Sequence, residues 1–425
     1  MNPPVFFLLV DAIPYDLARE VWADGGLEGF DEPRPVVSVF PSLTEVAVPA
    51  LLSEIFPARP PGYEVRYYHP PSGEVRGSYH DPRSEEANAP FRARPRGLIA
   101  HASIYLLRGR LAAAQIRWIG HRFAREGGPW LGYLSATDGV AHFDGRPGLD
   151  AAFREIARQV QAVRSGYRRE HGVWPGVVLC SDHGMCFGPQ ERLSEHELAD
   201  ALGRTGFPVA RSIDEGPVLV PYGEVGAGVV HCRPERAAEI AQVVSQAPGV
   251  DLVFARTASG ALVFGGGERS GRARLHWRDG EYRYEPDGGD PLDYAALWAD
   301  LEADGRLRDG WAADADLFRA SWTHRYPDAL GRVRRGLDDL VEFPAPVLFS
   351  MRDGWSFGPA LTHAAAQMMG GQVGSHGALS REASVGFAAV TRDGADPWED
   401  VPALRPEGVF RPWRPWVRAG GDPDR

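Results

Sequence analysis

The sequence predicts an α/β fold: a central, mainly parallel sheet flanked by helices, with an inserted α+β cap subdomain. Three observations predict it. Short apolar runs of strand length alternate with helical segments up to about residue 190. That rhythm then gives way to a meander-like series of β segments punctuated by Gly, Ser and Asp. It resumes before residue 400.

Val5–Val10 reads as a buried first strand ending at Asp11, and Tyr15–Trp22 as the helix after it. Val36–Phe40 is a second apolar run, closed by Pro41-Ser42-Leu43-Thr44. A helix is expected to begin there, with Pro49 acceptable only in its first turn. Residues 57–97, rich in Pro, Arg and Tyr, have no period and read as an irregular loop; residues 98–125 are helical in character. Trp130–Ser135 is a third run, followed by Thr137-Asp138, and 149–169 is a further helix. Val177–Cys180 is the fourth run, and Ser181-Asp182-His183-Gly184 follows at once.

Segments 217–232 and 251–285 (DLVFART, ALVFGGG, ARLHW, EYRYEP) read as a meander. The α/β rhythm returns at Val347–Ser350 and runs through Gly374-Ser375-His376-Gly377 to a last strand, Val385–Val390. From Val401 onward the chain is rich in Pro, Trp and Arg, without periodicity. The expected organisation is a discontinuous core (1–190 and 336–400), a cap (191–335) over the carboxyl edge of the sheet, and an irregular tail (401–425).

Composition excludes several classes. A net charge of −11 argues against a nucleic-acid polymer as partner, because phosphate backbones are bound through clustered cations. The Val5–Val10 run is too short to span a bilayer and no basic segment precedes it, so no membrane segment and a cytoplasmic location are expected. Cys180, Cys186 and Cys232 make no disulfide framework. The chain has no lysine, which excludes a lysine Schiff base and a Walker A site together.

Asp11, Thr44, Asp138 and Asp182 each follow an apolar run directly. Ligands of open α/β sheets bind at the carboxyl ends of strands, so the four belong to one edge of one sheet. His142, His183 and His376 lie close by in sequence. Imidazole and carboxylate without thiolate are ligands of catalytic zinc. Three of each with a hydroxyl suit two ions about 3.5–4 Å apart, which clamp the attacking and leaving oxygens of an in-line displacement. Taken alone, Asp11 or Thr44 would also fit a helix cap.

Five segments together resemble the type I phosphodiesterase/nucleotide pyrophosphatase family of the alkaline phosphatase superfamily. They are Val10-Asp11, Phe40-Pro41-Ser42-Leu43-Thr44, Asp138-Gly139-Val140-Ala141-His142, Ser181-Asp182-His183-Gly184-Met185 and Gly374-Ser375-His376-Gly377, and they come in family order. The resemblance implies an alkaline phosphatase-like core. It also implies that Asp11, Thr44, Asp182 and His183 hold one ion and Asp138, His142 and His376 a second. The ions implied are zinc, with manganese as the alternative, and the activity a phosphodiesterase acting through a phospho-threonine on Thr44. Phosphomonoesterases, phosphomutases and phosphonate hydrolases of the same superfamily are alternatives, and a non-catalytic metal-binding sensor a distant one. The chain departs from the family after the nucleophile, where Glu45-Val46-Ala47-Val48-Pro49 replaces a Pro-Asn-His-like stretch. It also lacks the phosphate-binding Asn some twenty residues on, for which Asn88 is a remote substitute.

Overall fold

A computed structural model describes residues 4–78, 104–126, 130–267, 269, 271–392 and 396–414. The first strands are β1 (Val5–Val10), β2 (Arg34–Val37), a small hairpin β3 (Tyr67–His69) and β4 (Glu74–Arg76), then β5 (Trp130–Leu134) and β6 (Gly176–Cys180). Next come β7 (Cys186–Phe187), β8 (Glu191–Ser194), β9 (Val218–Leu219), β10 (Ala227–His231), β11 (Val250–Thr257), β12 (Gly260–Gly265), β13 (Arg272–Arg278) and β14 (Glu281–Asp287). The last are β15 (Leu307–Arg308), β16 (Trp311–Ala313), β17 (Val347–Met351), β18 (Trp355–Gly358), β19 (Gly374–Ser375) and β20 (Val385–Val390). Five helices matter most: α1 (Tyr15–Ala23), α2 (Thr44–Leu52), α3 (Arg108–Glu126), α4 (Ala136–Phe143) and α5 (Gly145–His171).

The first sheet has the order β2-β20-β6-β1-β5. β1 is parallel to β5 and β6, while β20 is antiparallel to both β6 and β2. Four strands therefore point one way and only β20 runs back. Its direction follows from its approach: it starts just after the His376 segment, at the carboxyl edge, and must return across the sheet. The alternation along β1 explains why helices lie on both faces. Phe6, Leu8 and Val10 pack with residues of α1, α3 and α5, while Val5, Phe7 and Leu9 pack with Val48, Leu51 and Leu52 of α2.

The tail contributes to that second face. Leu404 exchanges main-chain hydrogen bonds with β2, donating to Pro35 O at 2.8 Å and accepting from Val37 N at 2.8 Å. Phe410 and Trp413 meet the Phe7 ring edge-on at 5.5 and 5.7 Å. Burying such a side chain stabilises the fold by about 1.5–3 kcal/mol, so aperiodic residues 404–413 complete the core. Residues 415–425 lie outside the described part.

The second sheet has the order β15-β16-β14-β13-β12-β11-β17-β10-β9 and is antiparallel throughout. β11 to β14 form the expected meander. β17 was expected to resume the core rhythm; instead it lies between β10 and β11, paired with both. An apolar pentapeptide has the same composition in either sheet, and pairing partners are decided by tertiary packing. The two sheets share one core region: Phe40, Leu43 and Val46 pack with Phe254 of β11 and with Leu330, Val333 and Leu337 of helix Ala329–Asp338.

Pro49 is also placed differently from expectation. It is the sixth residue of α2, beyond the first turn. There it removes the N–H that would bond the carbonyl of residue 45. Burial compensates, since every residue from Val46 to Leu52 is buried. Among the described residues no helix is long and apolar enough to cross a membrane.

Candidate metal centre

The four codirectional strands bring their carboxyl ends to one edge, and the residues singled out from the sequence meet there. Asp11 follows β1, and Asp182 and His183 follow β6. Thr44 is reached from β2 through residues 38–43. Asp138 and His142 lie on α4 just after β5, and His376 follows β19. Asp11, Asp138, His142, Asp182, His183 and His376 are all buried, while Thr44 is partly exposed. The hydroxyl is thus the member of the set that an incoming molecule can reach.

Neither cap reading is met. Leu43 is the N-cap of α2 and Thr44 its first helical residue. Its Oγ1 lies 3.3 Å from His183 Nε2 instead of turning back to the helix. The N-cap of α1 is Pro14, and the Asp11 carboxylate accepts a hydrogen bond from the Tyr133 phenol on β5.

The three imidazoles share one arrangement. His142 Nδ1 lies 2.8 Å from Gly374 O, His183 Nδ1 2.9 Å from Gly184 O, and His376 Nδ1 2.9 Å from Ser42 O. A carbonyl only accepts, so for His183 and His376, whose burial keeps them neutral at pH 7, these contacts put the proton on Nδ1 and leave the Nε2 lone pair free. All three Nε2 atoms face carboxylate oxygens: His142 to Asp138 Oδ1 at 3.2 Å, His376 to Asp138 Oδ1 at 3.7 Å, and His183 to Asp11 Oδ1 at 3.5 Å and Asp182 Oδ2 at 3.4 Å. The rings of His183 and His376 stack with centroids 3.9 Å apart. Asp11 Oδ1, Asp138 Oδ1 and Asp182 Oδ2 are buried and have no hydrogen-bond partner among the described residues.

Lone pairs facing lone pairs in a buried site repel, and each unsatisfied oxygen carries the full cost of desolvation. A cation between them removes both penalties. Asp138, His142 and His376 bring one ligand atom each within 4.8 Å of one another, and so do Asp11, Asp138 and His183. The donor set and the orphaned oxygens therefore fit divalent ions. The imidazole orientation, with Nδ1 tied to main-chain carbonyls, is the usual outer-shell support of metal-binding histidines.

The charges balance in the same sense. Burial, then the neighbouring charges of Asp182 and Asp138, push Asp11 well above the carboxylate range. Burial raises Asp182 to about 6 against the pull of His376. Burial also opposes the charge on Asp138, but His142, His376 and His183 outweigh it and hold that group well below its ordinary value. Burial lowers His183 to about 4, and burial with the nearby His183 lowers His376 to about 3, so both rings are neutral at pH 7. For His142 burial is outweighed by Asp138, and its value is raised.

Glycines at two motif positions have a steric cause. A Cβ on Gly184 would stand 2.5 Å from Glu382 O, and Gly377 has φ +103, a backbone that L side chains rarely adopt. Both let the His183 and His376 loops pass close to other main chain.

Sequence reasoning missed several neighbours. Arg332, buried, donates to the carbonyls of Val39, Pro327 and Leu379 and ties the segment leading to Thr44 to the His376 loop. Gln372 Nε2 is 2.7 Å from His142 Nδ1 and donates to Glu224 O at 3.1 Å. Tyr105 donates to Asp138 Oδ2 at 3.3 Å. Each lies in a loop or helix whose pattern fits ordinary structure, and local pattern does not encode its distant partner. Asn88, the remote candidate for phosphate binding, lies outside the described residues.

No family model matches the chain, and no curated protein sequence matches it. Solved structures do. Phosphonoacetate hydrolase from Sinorhizobium meliloti 1021 in complex with phosphonoformate aligns with a TM-score of 0.52 at 14% identity, over 99% of this chain and 96% of that one. Its complex with phosphonoacetate aligns at 0.51 and 13%, over the same shares. Human ectonucleotide pyrophosphatase / phosphodiesterase 5 aligns at 0.47 and 11%, over 91% of this chain and 87% of that one. The fold is alkaline phosphatase-like, as the motif resemblance implied.

Proposed function

We propose that this alkaline phosphatase-like chain is a two-metal-dependent hydrolase of phosphoric esters, a phosphodiesterase with Thr44 as nucleophile. One observation carries the reading: three buried carboxylate oxygens, without a hydrogen-bond partner among the described residues, face three imidazole Nε2 atoms beside a reachable hydroxyl. Asp11, Thr44, Asp182 and His183 would hold one ion, and Asp138, His142 and His376 the other, with zinc or manganese as the metal. Bound there, two such ions supply Lewis-acid charge to the phosphoryl oxygens and lower the pKa of the coordinated hydroxyl.

The protein's own part is placement. Thr44 stands at the first position of α2, where first-turn N–H groups lack intrahelical acceptors and the helix dipole favours an anion. A phosphorus centre held there is within reach of Oγ1. Attack forms the Oγ1–P bond, the hydroxyl proton of Thr44 passing to water, and breaks the bond to the leaving alkoxide, which takes that proton back from water and departs as the alcohol. Water then cleaves the phospho-threonine, returning the hydroxyl proton to Thr44 and releasing the phosphate product. His183 and His376, neutral at pH 7, can act as ligands without first losing a proton.

The surroundings favour a diester over a monoester. Glu45 follows Thr44 directly and its charge is felt by Tyr105, the phenol on Asp138, whereas Glu64, raised to about 8 chiefly by burial, is neutral at pH 7 and adds no charge. The Glu45 charge opposes a dianionic monoester more than a monoanionic diester. A phosphonate hydrolase is the second reading, favoured by the phosphonoacetate hydrolase that aligns over nearly the whole chain.

The test is a paired assay of metal-analysed protein on bis-(p-nitrophenyl) phosphate, p-nitrophenyl phosphate and phosphonoacetate. Preference for the diester, lost with chelator and restored by zinc or manganese, is the expected result. Preference for phosphonoacetate moves the assignment to the second reading. Turnover undiminished by chelation overturns the metal-dependent account.

A further inference from the structure

Asp11, Asp138 and Asp182 share a feature that the ligand motifs do not explain. Each has one oxygen bonded outward and the other turned toward the imidazoles without a hydrogen-bond partner among the described residues. Asp11 Oδ2 accepts from the Tyr133 phenol while Oδ1 is bare. Asp138 Oδ2 accepts from the Tyr105 phenol at 3.3 Å while Oδ1 is bare. Asp182 Oδ1 accepts from the Ala12 N–H at 3.3 Å while Oδ2 is bare.

We propose that Tyr133 and Tyr105 are positioning residues, each holding the outer oxygen of one ligand carboxylate so that only the inner oxygen is offered to an ion. The inference rests on the metal-dependent reading given above.

The physical case has three parts. A carboxylate turns about its Cβ–Cγ bond, and an untethered one can swing both oxygens onto a single ion. A donor on one oxygen blocks that rotation, fixes the aim of the other and satisfies an acceptor that would otherwise be buried without a partner. A phenol also suits this role better than a cation. It is neutral at pH 7, so it orients the carboxylate without forming an ion pair that competes with the metal.

The two phenols are themselves well braced. Tyr133 is buried on β5, in the core face that contains Phe7 and Leu9. Tyr105 is held through its carbonyl, which accepts from Arg108 Nη1 at 3.0 Å, and Arg108 Nε in turn donates to Asp144 at the end of α4 at 2.8 Å. The chain around Tyr105 lies tight against α4, since a Cβ on Gly139 would stand 2.4 Å from Ile104 O. Each tyrosine serves a different ion: Tyr133 the one at Asp11, Asp182 and His183, Tyr105 the one at Asp138, His142 and His376.

The experiment is a two-site zinc titration of the apo full-length chain by calorimetry, with competing chelators, comparing wild type with Tyr133→Phe and Tyr105→Phe. Tyr294→Phe serves as control, since that buried phenol donates to Tyr326 O at 2.5 Å in the second-sheet core. The expected result is that Tyr133→Phe weakens one ion by about 10–100-fold and Tyr105→Phe weakens the other by a similar factor. Tyr294→Phe should leave both affinities unchanged whatever its melting temperature. Affinities that stay within about two-fold of wild type in both tyrosine variants overturn the inference. So does equal weakening of both ions by either variant, which marks a general structural effect. If Tyr133→Phe does not fold, the Tyr105→Phe arm alone decides between selective and unselective loss. A wild-type chain that binds no zinc, manganese or other divalent ion removes the underlying metal reading, a result distinct from any of these.

Discussion

Asp182→Asn is expected to change stability in opposite directions depending on whether metal is present. Asp182 is fully buried, and burial raises it to about 6. A carboxyl raised on folding holds its proton more tightly in the native state. The penalty for ionising it is absent below the unfolded value near 4, grows between about 4 and 6, and is complete above about 6. At about 1.4 kcal/mol per factor of ten, the ionised group costs the metal-free fold about 3 kcal/mol. The amide isostere removes that cost and keeps the bond from the Ala12 N–H through its oxygen. Its NH2 would also point at His183 Nε2, now 3.4 Å from Oδ2, and replace a repulsion with a donor. Unfolding entropy of about 2.1 cal/mol/K per residue over 425 residues is about 0.9 kcal/mol/K for a chain unfolding as one unit, so 3 kcal/mol corresponds to about 3 °C. The assay is differential scanning calorimetry at pH 8, with chelator and with zinc. The chelated variant should melt about 3 °C above chelated wild type, and its gain on adding zinc should be much smaller. A chelated variant that melts below chelated wild type refutes the reasoning, because Asp182 would then be stabilising the fold without a metal.

Three further outcomes are expected. Thr44→Ala should lower turnover by about 10³-fold or more while Asp11, Asp182 and His183 retain metal, measured by kinetics alongside metal analysis. Metal affinity should rise with pH, since the ligands Asp182, raised to about 6, and Asp11 and His142, both raised, must lose protons to bind, whereas His183 and His376, lowered to about 4 and about 3, are already neutral at pH 7. Calorimetry in two buffers of different ionisation enthalpy reads this as proton release that grows toward acid pH. Arg405→Met should destabilise the chain by about 3 kcal/mol in urea unfolding, because Arg405 spans Asp314 and Asp328 with two bonds to each and its loss leaves buried Asp328 without its cation.

Much of the site was legible because it depends on local signals. An apolar run that stops at a polar residue marks the carboxyl end of a buried strand, and four such stops (Asp11, Thr44, Asp138 and Asp182) locate one edge if the strands run the same way. They do, with β20 alone reversed. What was not legible depends on pairing at long range. β17 has the composition of a core strand, yet it pairs with β10 and β11. Residues 404–413 have no period because they form a short helix, Pro406–Phe410, and a single 3-10 turn, Arg411–Trp413, rather than one long amphipathic element, yet Phe410 and Trp413 fill the core. Tyr105 and Tyr133 reach carboxylates 33 and 122 residues away, a relation no local window contains. Pro49 breaks the first-turn rule because burial of α2 offsets the single hydrogen bond it removes.

The central claim, that Thr44 attacks phosphorus in a metal-dependent reaction, is tested most directly by acid-quenching the metal-loaded chain during turnover of bis-(p-nitrophenyl) phosphate and mapping the trapped adduct by mass spectrometry. The account predicts an aryl-phosphoryl adduct on the peptide containing Thr44, absent from the chelated protein and from Thr44→Ala. Undiminished turnover by Thr44→Ala, or an adduct on another residue, would contradict it.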